Sequence, residues 1–314
     1  MARRSSYSLL VWLVVLVLVG GGYFFTRPKR SKEPHIRLLS WDTDDVVFVA
    51  RWHNQTNTRE YTAFERYGEE WYMVSPVREK VHPELFHRML DTLSRVKTEQ
   101  AFVIREASEW ENYGFSPYVY RFVLSNRRGE EYTLDIGNVT PGQNYFYLRI
   151  NGTETNYQTA TYNLVDVTQP QGAYRWPDIF DIPFDHLEKV VFFFEGKRVV
   201  EIVTNLSGWA MVFPEKRMLT NFSVKSVLLD FYPFQIDHFL TTEVTPSFLR
   251  QYSLVTPRYG VVFVGEGRSN TLWVSDKGEE GFLYAYSGER QGIFVVSEGE
   301  VTTKWITQAS QFRR

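Results

Sequence analysis

The stretch "EEWYMVSP", Glu69 to Pro76, returns about 138 residues later as "SGWAMVFP", Ser207 to Pro214, with Trp71 on Trp209, Met73 on Met211 and Pro76 on Pro214. Periodicity at that scale means that one structural unit has been built twice. Working outward, the matches continue. "VVFVARW" precedes the first octet as "VVFFFEG" precedes the second. Behind each octet comes a helical stripe: Leu85, Phe86, Met89, Leu90, Leu93 and Val96 after Pro83, and Val224, Val227, Leu228 and Phe231 after Thr220 or Asn221 as cap. Such stripes dock on a core.

A corner follows in both copies: "YGFSP", Tyr113 to Pro117, and "YSLVTP", Tyr252 to Pro257. "SEWE", Ser108 to Glu111, reads as a capping box that opens a helical turn; Gly114 supplies the left-handed residue that ends it, and Phe115 folds back as the apolar contact. In the second copy Ser253 replaces the glycine, which predicts a looser or differently closed corner. Beyond each corner the alternation of "YVYRFVLS" and "EYTLDI", and of "YGVVFV" and "TLWV", predicts antiparallel strands, with "GEGRSN" (Gly265 to Asn270) as a hairpin turn. An aromatic strand closes each unit, "YFYLRI" with Tyr147 and "FLYAYS" with Tyr284.

The expected fold class is α+β: two tandem copies of an antiparallel-sheet unit with one packed amphipathic helix each, after an N-terminal transmembrane helix. Aromatics make up 17% of the 314 residues, an excess that suits pleated surfaces and a strand-dominated body. The divisions are a short tail (1–7), an anchor (8–25), a basic linker (26–36), repeat 1 (37–180) and repeat 2 (181–314), with the seam in "DVTQPQGAYRWPDIFDIP", Asp166 to Pro183. "SLLVWLVVLVLVGGGYFF", Ser8 to Phe25, has no charge over about 18 residues, close to the length that crosses a bilayer. A cleaved signal peptide is the competing reading; Tyr23, Phe24 and the cations that follow favour an uncleaved anchor. Flanking charges are nearly balanced, leaning toward a cytoplasmic body.

No chemistry stands out. Zero cysteines exclude disulfides, thiolate nucleophiles and zinc ribbons, and a net charge of −2 argues against nucleic-acid binding. No P-loop, dinucleotide fingerprint, HExxH or GxSxG pattern occurs. The six histidines are scattered. "DTDD", Asp42 to Asp45, reads as a turn before the first strand, and Glu65, Asp135 and Glu201 read as solvent-facing strand residues. Catalytic, cofactor and metal residues are therefore expected to be none. The residues singled out are the repeat landmarks Trp71, Pro76, Tyr113, Gly114, Pro117, Gly137, Tyr147, Trp209, Pro214, Tyr252, Pro257 and Tyr284.

The order of W-x-x-x-x-P, helix, "YGFSP", hairpin, "LDIGNVTPGQNYFYLRI" and "TATYNLVDV" resembles a bacterial domain-of-unknown-function family found beside ABC transporter genes of the gliding-motility auxiliary type. Ile136, Gly137 and Tyr145 to Tyr147 fit its pattern, while Phe115 stands at a leucine position and Ser253 and Ser275 depart from it. The resemblance implies one N-terminal span and an extracytoplasmic body at the bacterial cytoplasmic membrane. The expected role is a non-enzymatic accessory or scaffold subunit, with the membrane and protein partners, ABC transporter subunits among the candidates. The alternative is an envelope glycan- or peptide-binding protein or hydrolase with Trp110, Tyr145 and Tyr147 lining a groove.

Overall fold

The computed structural model describes residues 42–54 and 58–308. Repeat 1 contains β1 (Val46–Asn54), β2 (Arg59–Tyr67), β3 (Glu70–Ser75), β4 (Glu79–Lys80), α1 (Pro83–Ser94), β5 (Gln100–Val103), β6 (Tyr120–Asn126), β7 (Glu131–Val139), β8 (Tyr145–Ile150) and β9 (Thr155–Ala160). Repeat 2 runs β10 (Leu187–Phe194), β11 (Lys197–Asn205), β12 (Gly208–Phe213), β13 (Arg217–Met218), α2 (Asn221–Leu228), β14 (His238–Thr241), α3 (Pro246–Gln251), β15 (Tyr259–Gly265), β16 (Arg268–Val274), β17 (Phe282–Tyr286), β18 (Ile293–Ser297) and α4 (Glu298–Thr302).

Each repeat forms one antiparallel sheet of nine strands, in the order β4-β3-β2-β1-β6-β7-β8-β9-β5 and β13-β12-β11-β10-β15-β16-β17-β18-β14. The two orders are the same. In each unit the helix follows one edge strand, and the strand after it joins the opposite edge, so the helix carries the chain across one face of the sheet. That passage explains its apolar stripe. Leu85, Phe86, Met89, Leu90 and Leu93 of α1 are buried, and Phe86 packs on Trp71 with ring centroids 4.7 Å apart. In repeat 2 Val224, Val227 and Leu228 are buried and Thr220 caps α2 by accepting from Ser223 N–H. Pro76, Pro117 and Pro214 follow cis peptide bonds.

The α+β expectation is corrected: with 45% of the described residues in strands and 20% helical, the fold is mostly β. The helical stripes are real but short against the eighteen strands among the described residues, so strand pairing sets the architecture. Among the described residues no helix is long and apolar enough to cross a membrane. The anchor read at residues 8–25 and the basic linker lie outside the described residues.

Two further expectations change. The turn before the first corner is a short 3-10 helix, Ala107–Glu109, following Glu106 with no side-chain cap, so Ser108 does not cap it. Gly114 ends the turn at φ +72°, and Ser253 adopts the same left-handed conformation at φ +57°. The corners close alike: Phe115 N–H donates to Trp110 and Leu254 N–H to Leu249, while Gly114 and Ser253 each bond three residues back. The serine thus pays the strain that glycine avoids. Gly137 is needed for a different reason, since a Cβ there would lie 2.0 Å from the Tyr113 carbonyl.

Ser253→Gly should raise stability by about 0.5–1 kcal/mol and Gly114→Ser should lower it by about 2–4 kcal/mol, because the second also drives a Cβ to 2.5 Å from Asn138. Urea midpoints shifting in opposite directions at unchanged m-value are the check.

Candidate functional site

The landmark residues gather at the corners and beneath the helices. Tyr113 packs edge-on against Tyr147 at 4.9 Å, and Tyr252 packs edge-on against Tyr284 at 5.0 Å, so the tyrosine of each corner is held by the aromatic strand that closes its repeat. Trp71 and Trp209 lie apart in two separate cores. Trp110 is occupied by the Arg149 guanidinium 4.3 Å from its ring, and Tyr147 by Tyr113 and Phe102, so both are committed to packing. A hydrogen bond with Glu99 raises the Tyr145 hydroxyl above its usual pKa.

Asp135 is corrected outright. It is 1% exposed and held between Arg121, at 2.6 Å, and Arg149, at 2.7 Å. Strand alternation assigns it to the face away from the helix, but here that face is covered by the corner. In repeat 2 the register puts Gly260, Trp273 and Tyr286 at the positions of Arg121, Asp135 and Arg149. Trp273 fills the space over Gly260, where a Cβ would meet its ring at 2.3 Å. Repeat 1 ties β6, β7 and β8 with charge, whereas in repeat 2 the Trp273 ring crosses Gly260 to pack on Phe193 of β10 at 5.1 Å.

The residues that sequence reasoning missed lie at the seam. After a 3-10 turn at Gln171–Tyr174, residues 175–178 run on as a strap between the repeats. His82 N–H donates to Tyr174 and Trp176 N–H to Lys80 on the repeat 1 side; Ile236 N–H donates to Pro177 and Ile179 N–H to Phe234 on the other. The strap sets Arg175, 2% exposed, against Glu79 of β4 and over the Phe239 ring of β14. Arg290 arrives from the loop between β17 and β18, bonding Glu79 at 3.1 Å, Asp178 O at 2.7 Å and Trp176 O. Gln291 O takes a further bond from Arg175 at 2.6 Å. One carboxylate therefore serves two buried guanidiniums, and burial pulls the Arg290 pKa below the usual arginine value.

Glu289 anchors that loop, accepting from Ser269 Oγ, Thr271 N–H and Ser287 Oγ. Beside it opens a cleft of about 560 Å³ lined by Lys80, Trp176, Asp178, Asp181, Arg268 and Arg290. Its cations are engaged: Arg268 with Asp181 at 2.8 Å and Lys80 with Glu70 at 2.6 Å, pairings that raise both pKa values. A larger groove of about 750 Å³ lies at the second corner, between Glu195, Arg250, Ser253, Arg258 and Lys277. The seam carries more weight, because elements of both repeats converge there. His186 pairs with Glu266 rather than with its neighbour Asp185. Among the described residues no group of three or more metal-ligating side chains forms.

The family model described as a domain of unknown function, DUF4340, matches residues 71–257. The chain belongs to that family. The matched stretch begins in β3, takes in the strap and α1 and α2, and ends before β15. No curated protein and no solved structure matches the chain.

Glu79→Gln should cost about 3–5 kcal/mol in unfolding free energy, since it leaves two buried guanidiniums without a counter-charge. Asp135→Asn should cost a similar amount, about 3–5 kcal/mol, whereas the triple change Arg121→Gly, Asp135→Trp and Arg149→Tyr, which installs the repeat 2 residues, should cost less than half as much by the same equilibrium measurement.

Proposed function

We propose that this member of the DUF4340 family is a non-catalytic accessory or scaffold subunit of a membrane complex. It is held at the bacterial cytoplasmic membrane by the apolar segment at residues 8–25, with its two-sheet body outside the cytoplasm and docked on an ABC-type transporter or envelope assembly. The observation that carries the reading is the use of charge at the seam. Glu79, Arg175 and Arg290 are spent on each other and on backbone carbonyls, which favours a body that holds a fixed shape over one that turns over a substrate. Open nine-stranded sheets end in edge strands, a feature suited to recognition by added strands.

The second reading, an envelope glycan- or peptide-binding protein or hydrolase, draws on the cleft at the seam, where Trp176 stands among carboxylates and cations. Affinity purification of the full chain from native membranes in mild detergent separates the two. Permease or ATPase subunits should co-purify in near-stoichiometric amounts. Recovery of the chain without partners, together with saturable binding of envelope glycans or peptides that Trp176→Ala abolishes, would instead support the second reading.

A further inference from the structure

The second corner opens where the first is shut, and the difference turns on one Cβ. In repeat 1 the Asn138 N–H, near the end of β7, donates to the Tyr113 carbonyl at 2.8 Å and closes the corner onto the sheet. That closure needs glycine, since a Cβ at Gly114 would stand 2.5 Å from the Asn138 nitrogen. Ser253 carries that carbon. Register places Asp276 at the position of Asn138, because Tyr259 pairs with Val274 as Tyr120 pairs with Ile136. β16 stops at Val274, and the chain folds back on β17 instead: Ser275 N–H donates to Tyr284, and Tyr284 N–H to Lys277. The groove of about 750 Å³ lies between this corner and the parted strand end.

The lining has changed with the opening. The bond that ends each corner, Gly114 N–H to Glu111 and Ser253 N–H to Arg250, aligns Arg250 with Glu111. Strand register and the bonds beside it align Arg258 with Val119, Lys277 with Val139 and Glu195 with Asn54. Five positions with a single charge in repeat 1 therefore all carry charge in repeat 2, as three cations and two carboxylates around one groove. Elsewhere on this surface such neighbours pair, as Arg268 does with Asp181. Here, among the described residues, no side chain of the five forms an ion pair or a hydrogen bond. The Arg258 guanidinium rests against the rings of Phe194 and Tyr259, 5.6 Å from each centroid, which orients it without occupying its N–H groups with an oxygen acceptor.

Unpaired groups of both signs in one groove fit a ligand that carries both signs. Three cations around one anion suit a phosphate better than a carboxylate, because one guanidinium fork satisfies a carboxylate while tetrahedral oxygens accept from several directions. The carboxylates then need a donor on the same ligand, since a bare phosphate would bring them only repulsion. An ammonium group supplies it.

We propose that this groove binds a phosphodiester that bears an ammonium group, the chemistry of phosphoethanolamine, with Arg250, Arg258 and Lys277 on the phosphate and Glu195 and Asp276 on the ammonium. The group can come from a membrane phospholipid or from a soluble ester. The site goes beyond the accessory reading and does not rest on it, so co-purification of transporter subunits neither requires the groove nor replaces its test.

The test is titration calorimetry of glycerophosphoethanolamine into the full chain in non-ionic detergent at low ionic strength, where exposed charges are least screened. Binding should be saturable, and Arg250→Glu with Lys277→Val, the residues of repeat 1, should weaken it about ten-fold or more. Both side chains are exposed, so an unchanged urea midpoint separates lost binding from misfolding. Asp276→Asn, again the repeat 1 residue, should weaken the zwitterion and strengthen inorganic phosphate, opposite shifts that general charge attraction does not produce. Nanodiscs assign the source. If discs of phosphatidylethanolamine abolish binding of the soluble ester and discs of phosphatidylcholine, whose ammonium has no N–H, do not, the lipid headgroup fills the groove; if both leave it intact, the ligand is the soluble ester. No saturable binding, equal binding by the Arg250→Glu, Lys277→Val chain, or tighter binding of glycylglycine than of the phosphodiester overturns the proposal.

Discussion

A single carboxylate shared by two buried guanidiniums constrains how the two repeats sit together. Glu79 lies in the edge strand of the first sheet, Arg175 in the strap and Arg290 in a loop of the second sheet. Two guanidiniums without it would face each other at low dielectric, where like charges are costly. The strap's backbone bonds to both repeats and the ring of Phe239 beneath both guanidiniums complete the joint. The loop that delivers Arg290 has the same length as its repeat 1 counterpart, since Tyr286 pairs with Ile293 as Arg149 pairs with Asn156, and Thr153 stands where repeat 2 carries Arg290. The long guanidinium side chain, and not a longer loop, gives repeat 2 the reach its counterpart lacks.

Within this joint the repeats keep one topology and vary the chemistry that secures it. The strands are tied by Arg121, Asp135 and Arg149 in one and by Trp273 packed over Gly260 on Phe193 in the other. Buried ion triads and well-packed apolar clusters of similar volume can have comparable net stability, because desolvation offsets much of the Coulomb gain. The exchange therefore leaves the strand order intact. Edges are different: they are visible to other chains, and β4 carries Glu79 and Lys80 where β13 carries Arg217 and Met218.

Much of the fold is legible in the sequence wherever the signal is local or repeated. Trp71 with Trp209 fixes the period, the helical stripes after Pro83 and Thr220 fix α1 and α2, and Tyr113 with Tyr252 marks corners whose tyrosines find Tyr147 and Tyr284. The α+β expectation fails because helical stripes are conspicuous in sequence while short edge strands such as β4 and β13 are not. Asp135 is misread because strand alternation names a face without saying what covers it. The seam at Asp166 to Pro183 is legible, but the contacts that close it are not, for a plainer reason. Glu79 and Arg290 are 211 residues apart, and nothing local to either position marks the other. The one sequence signal available is the sign reversal between Glu79 and Arg217 in a repeat that otherwise matches closely.

If Glu79 makes one cooperative body of two sheets, differential scanning calorimetry of the chain gives a single transition whose calorimetric and van't Hoff enthalpies agree. Two resolved transitions, each with about half of the total enthalpy, would show that the repeats unfold independently and that the shared carboxylate does not join them.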